Sequence, residues 1–104
     1  MAFEITDEFL NHLSKLISSK NDNTITSLFE EVHFADIAEV LEELDFEDAI
    51  FIIKLLDSEK TSEILTELDE NIREKILENL SAKEIAEEVK EMDSDDAADI
   101  IGEL

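Results

Sequence analysis

Apolar residues fall along this chain in a twelve-residue beat. Counted from Asn21, the sequence divides into seven units that close together at Leu104. The ninth positions are Phe29, Leu41, Ile53, Leu65, Leu77, Val89 and Ile101, and the twelfth are Val32, Leu44, Leu56, Leu68, Leu80, Met92 and Leu104. At this composition an all-apolar set of that size arises by chance roughly once in a hundred thousand draws, before allowing for the choice of period and phase. The eighth positions are aliphatic at Leu28, Val40, Ile52, Ile64, Ile76 and Ile100, and the pattern breaks only at Glu88.

Positions five, eight, nine and twelve stand at i, i+3, i+4 and i+7, which is one face of an α-helix. One continuous helix is excluded. At about 100° per residue its apolar stripe would turn by about 120° with each unit and leave no constant face to bury. The first positions supply the alternative. Asp45, Asp57, Asp69, Ser81 and Asp93 are all N-cap residue types, and His33 takes the same slot. Ser81 with Glu84 reads as a capping box. Glu47, Asp48, Asp95 and Asp96 put negative charge in first turns, where the helix terminus is positive. Helices of about ten residues are unstable alone and must stack on their neighbours. The expected fold is therefore all-α: a right-handed superhelix, or α-solenoid, of about eight short amphipathic helices. Upstream, Thr6 can cap a first helix with Phe9, Leu10, Leu13, Leu16 and Ile17 on its apolar face. The polar run at residues 18–23 reads as a loop. It separates a capping helix within residues 1–20 from the array at 21–104.

Composition narrows the function. The 104 residues carry 30 acidic against 8 basic side chains, a formal charge of −22. Such a chain is repelled by phosphate backbones, which excludes nucleic acid as a partner. High net charge opposes collapse, but 43% hydrophobic residues in this order specify a packed core. Without cysteine there is no disulfide or thiolate-bound zinc, and no apolar run is long enough to insert directly into a membrane. One glycine, Gly102, cannot build a phosphate loop. The two histidines, His12 and His33, read as surface and capping residues rather than catalytic bases. An acyl-carrier domain needs Asp-Ser-Leu at a helix start, whereas Asp57-Ser58-Glu59 and Asp93-Ser94-Asp95 lack the leucine. A calcium loop opening at Asp93 would need glycine and glutamate where Ala98 and Leu104 stand. Enzymatic activity is not expected.

Carboxylates in helices remain. Asp95 and Asp99 are four apart and Asp96 and Asp99 three apart, so a helix gathers them on one side. Two hard oxygen ligands suit a hydrated Mg²⁺, which keeps several of its waters. Glu42, Glu43 and Glu47, or Glu84, Glu87, Glu88 and Glu91, present similar clusters, and a solvated helix face accounts for each of these groups equally well.

Two phrases carry a family resemblance. Residues 33–44 read HFADIAEVLEEL, followed by DFEDA, and residues 90–101 read KEMDSDDAADII. In this order and separation they resemble the cytoplasmic N domain of the MgtE family of magnesium transporters and channels, over residues 24–104. The family often has proline where Phe34, Phe46, Ser58 and Ser94 open helices here, a substitution that helix starts tolerate. The resemblance implies a helical domain on the cytoplasmic side of the bacterial inner membrane, itself soluble, in a dimeric multi-pass protein. It implies that Mg²⁺ bridges this domain to CBS domains and a connecting helix and holds the pore closed. It places the metal-linked carboxylates at Asp95 and Asp99, with Asp96 beside them and Glu63 as a further candidate. Only weak Mg²⁺ binding is then expected of this chain alone, because the matching ligands lie on other domains. Leu104 closes a repeat unit, as a domain taken from a longer chain would. The rival expectation is an interaction scaffold of the flagellar rotor switch type, without metal sensing.

Overall fold

Each twelve-residue unit becomes one helix. The computed structural model describes residues 4–104. Among them eight helices follow one another: α1 (Asp7–Ser18), α2 (Asp22–Phe29), α3 (Phe34–Glu43), α4 (Phe46–Leu55), α5 (Ser58–Glu67), α6 (Glu70–Glu78), α7 (Ala82–Lys90) and α8 (Ser94–Gly102). No strand occurs among the described residues. The expected count of eight and the all-α class both hold.

Most of the expected caps are made. The Thr6 hydroxyl accepts from the Phe9 amide at 3.0 Å, and His33 Nδ1 accepts from the Ala35 amide at 3.1 Å. Asp57 accepts from the Lys60 amide at 2.8 Å and Asp69 from the Asn71 amide at 3.2 Å. The capping box is complete: Ser81 Oγ accepts from the Glu84 amide at 3.1 Å, and Glu84 Oε1 accepts from the Ser81 amide at 2.9 Å. Asp45 and Asp93 depart from the expectation. They hold the cap positions, yet neither side chain accepts a capping hydrogen bond. Their contribution is the backbone carbonyl that receives Ala49 or Ala97, together with a negative charge at a positive helix end.

The loop expected at residues 18–23 is shorter than the sequence suggested. Ser18 still belongs to α1, and α2 already begins at Asp22. The reversal is made by the Lys20 amide bonding to the Ile17 carbonyl and the Asn21 amide to the Leu16 carbonyl, both at 3.0 Å. This is the Schellman arrangement, with Lys20 left-handed at φ 55°. The polar string is misleading because Asp22, Asn23 and Thr24 are a first helical turn, where polar residues belong.

Packing follows the beat. α5 lies on α3 and α7 lies on α5, so the odd-numbered helices from α3 onward form a stacked spine. α4 rests on α3 and α1, α2 on α1, and α8 on α7. The eighth positions Val40, Ile52, Ile64, Ile76 and Ile100 are buried, as are the ninth positions Phe29, Leu41, Ile53, Leu65 and Leu77. With Leu13, Ile25 and Ile37 they form one continuous core. The radius of gyration is 13.3 Å, matching the roughly 13 Å of a globular domain of this length, so the array is closed rather than extended. At the last layer the rule lapses. Ile101 is 56% and Leu104 66% exposed, because no described helix covers them.

Two stability differences follow. Leu65→Ala should cost about 3 kcal/mol by leaving a cavity, whereas Ile101→Ala at the equivalent ninth position should cost a few tenths. Lys20→Gly should gain about 0.5–1 kcal/mol by relieving the left-handed residue. Urea titrations at fixed pH and salt measure all three.

Candidate acidic cleft between α5 and α8

α5 presents Ser62, Glu63 and Thr66 along one edge, and the α7–α8 turn brings Glu91, Met92, Asp93 and Asp96 up to it. Between them lies a cleft of about 80 Å³. Ser62 donates its hydroxyl proton to the Glu59 carbonyl and Thr66 to the Glu63 carbonyl, each at 2.7 Å. Their oxygens can then only accept. The cleft thus offers carboxylate and hydroxyl oxygens, the donor chemistry of a hard, hydrated cation.

The four residues singled out from the sequence do not converge. Glu63 and Asp96 line the two walls of this cleft. Asp95 and Asp99 are exposed on α8 and line no part of it. The negative charge of Asp99 acts instead on Arg73. Among the described residues no three His, Asp or Glu side chains stand close enough to hold a metal ion. Among the described residues the cleft's carboxylates form no closed cage. Asp93 was noted only as a cap, and Glu91 only in an acidic cluster with Glu84, Glu87 and Glu88, not as lining a cleft with Glu63. Both sit in the interhelical turn, where the twelve-residue beat assigns only capping or no role, so no periodic signal marks them.

Arg73 fixes the position of α8 behind this surface. It occupies a fifth position, elsewhere taken by Ile25, Ile37 or Ala49 in the core. Its Nη1 donates to the carbonyls of Leu65 at 3.2 Å and Leu68 at 3.1 Å, closing the end of α5. Its Nε donates to Glu103 Oε2 at 2.9 Å, and Nη2 donates to Glu103 Oε1, so the pair is bidentate. Hydrogen bonding to Arg73, outweighing desolvation, holds the Glu103 carboxyl below its ordinary range. A carboxylate lowered in the folded state stabilises above its unfolded pKa of about 4.3 and loses that contribution as pH falls through the lowered value. Arg73→Met strands two carbonyls and a carboxylate, and should cost about 2 kcal/mol at pH 7. The gap between the variant and the natural chain should narrow below pH 4, as read from paired denaturation curves.

No helix among the described residues is long and apolar enough to cross a membrane. No curated protein matches the sequence. The family model described as MgtE intracellular N domain matches residues 32–104. The match begins at the edge of α3 and leaves α1 and α2 upstream of it. It covers both phrases that carried the resemblance, and the stacked spine α3–α5–α7 with α8 lies wholly within it. The family is a transporter regulatory domain rather than a catalytic one, and this chain belongs to it: an MgtE intracellular N domain.

Proposed function

We propose that this chain is the cytosolic Mg²⁺-sensing element of a magnesium transporter or channel. In this reading Mg²⁺ joins its acidic surface to CBS domains and a connecting helix and so favours a closed pore. When Mg²⁺ is scarce, carboxylate repulsion parts the surfaces. The domain would act at the cytoplasmic face of the membrane, within a homodimer. The observation that carries the reading is the meeting of Glu63 on α5 with Asp96 on α8 across one small cleft, with Asp95 and Asp99 exposed on the same helix. A ligand shifts a conformational equilibrium only by its differential affinity, and incomplete sites of this kind bind well only when a second surface completes them. Weak Mg²⁺ binding by the chain alone is the corollary.

A second reading has one observation in its favour. Ala82, Ile85, Ala86 and Val89 of α7, with Ile101 and Leu104, line an apolar groove of about 420 Å³. An interaction scaffold of the flagellar rotor switch type would use such a surface without any metal.

Backbone NMR titrations separate the two. MgCl₂ should shift the amides around Glu63, Asp93, Asp95, Asp96 and Asp99 beyond what NaCl does at matched ionic strength, with millimolar midpoints. Equal responses to both salts would remove the case for specific divalent binding. In the parent transporter, Asp95→Asn with Asp99→Asn should leave transport less inhibited by Mg²⁺. Unchanged inhibition would sink that assignment.

A further inference from the structure

Glu88 is the one eighth position that is not aliphatic, and the fold buries it all the same. Its side chain is 6% exposed, in the layer where α7 rests on α5. Oε2 has no hydrogen-bond partner, and no Lys or Arg among the described residues pairs with the carboxylate. The polar side chain that reaches Glu88 across the layer is Thr61 of α5, itself buried. Its hydroxyl also has backbone acceptors, the Asp57 carbonyl at 3.0 Å and the Ser58 carbonyl at 3.3 Å. One shared hydroxyl proton gives a carboxylate little compensation, and Oε2 is left with none.

The surrounding charge acts in the same direction. Glu84 and Glu87 on α7 itself oppose ionisation of Glu88. α5 carries Glu59 and Glu63 besides Lys60, and Lys60 is engaged elsewhere, donating to the Phe29 carbonyl at 2.9 Å. α8 carries no basic residue, and Arg73 is taken by Glu103. Lys54 of α4 pairs at 4.0 Å with Glu84, not with Glu88. Lys83 and Lys90 of α7 are exposed.

We propose that Glu88 is a proton-operated latch: its neutral carboxyl seats α7 on α5, and its ionised form loosens α7 and the α8 that follows. An unpaired charge in an apolar layer is the costlier state, so proton release and undocking favour each other. Burial, then Glu84 and Glu87, push the carboxyl up to about 7, against a weak opposing pull from Thr61. The docked form binds this proton more tightly than the open form does. Docking is therefore firmest at acidic pH, weakens as pH rises towards about 7, and is fully weakened above it. The latch bears on the acidic cleft because α7 leads directly into Asp93 and Asp96. It needs no metal, and its test is made without one.

The test uses the full chain in Mg²⁺-free buffer. The Glu88 side-chain carboxyl, followed by ¹³C NMR and assigned by its loss in Glu88→Gln, should titrate near pH 7. A midpoint below 5 would overturn the proposal. Amide-exchange protection of α7, taken relative to α3, should fall about thirtyfold between pH 5.5 and 8. In Glu88→Gln and Glu88→Leu that slope should vanish, whatever the absolute stability of each variant. The same slope in the natural chain and both variants would show that other groups carry it and that there is no latch. Because no divalent ion is present, this failure is distinct from a failure of the Mg²⁺-sensing reading.

Discussion

The seating of one ten-residue helix on the helix two places earlier is the contact on which everything else rests. None of these helices is long enough to persist in water alone. The inner helices are stabilised by burying their fifth, eighth and ninth positions, and by caps that satisfy amides that short helices leave open. The spine α3–α5–α7 is that contact repeated. It decides where each turn falls, and the turns carry much of the candidate chemistry. With a charge of −22, the arrangement can succeed only if the carboxylates are kept on the outer faces and caps.

Two polar residues intrude on the buried face, and they are handled in opposite ways. Arg73 takes a core position and is fully engaged by two carbonyls and the Glu103 carboxylate. It binds α5, α6 and the end of α8 into one unit. Glu88 takes a core position and is left with an oxygen that nothing satisfies. A satisfied buried ion fixes geometry, while an unsatisfied one makes the geometry conditional on protonation. Arg73 ties the end of α8 to α5, and Glu88 lies where α7 rests on α5, so both bear on helices next to the acidic cleft.

That surface is open by construction. Glu63 and Asp96 both line a small cleft, Asp95 and Asp99 are exposed and line no part of it, and no cage forms among the described residues. In the Mg²⁺-sensing reading proposed above, the remaining ligands would come from a partner domain.

Much of this was legible in the chain. The period fixed the number of helices, their length and nearly all the core positions, because side-chain direction in a helix depends only on spacing. Thr6, His33, Asp57 and Ser81 were readable as caps for the same local reason. Asp45 and Asp93 were not distinguishable from them, since a cap bond depends on a rotamer that neighbouring packing selects. The loop was overread because the polar residues at a helix start look like those of a turn. Glu88 stood out in the sequence as a break in the pattern, but spacing alone does not say whether such a residue is buried or turned to water. Likewise it named Glu63 and Asp96 without showing that they share a cleft and that Asp99 does not. Periodicity within one helix is a local property, and the sequence determined it. Which faces meet, which carboxylates converge and which charge is trapped depend on the stacking of helices remote in sequence, and only the tertiary structure decided them.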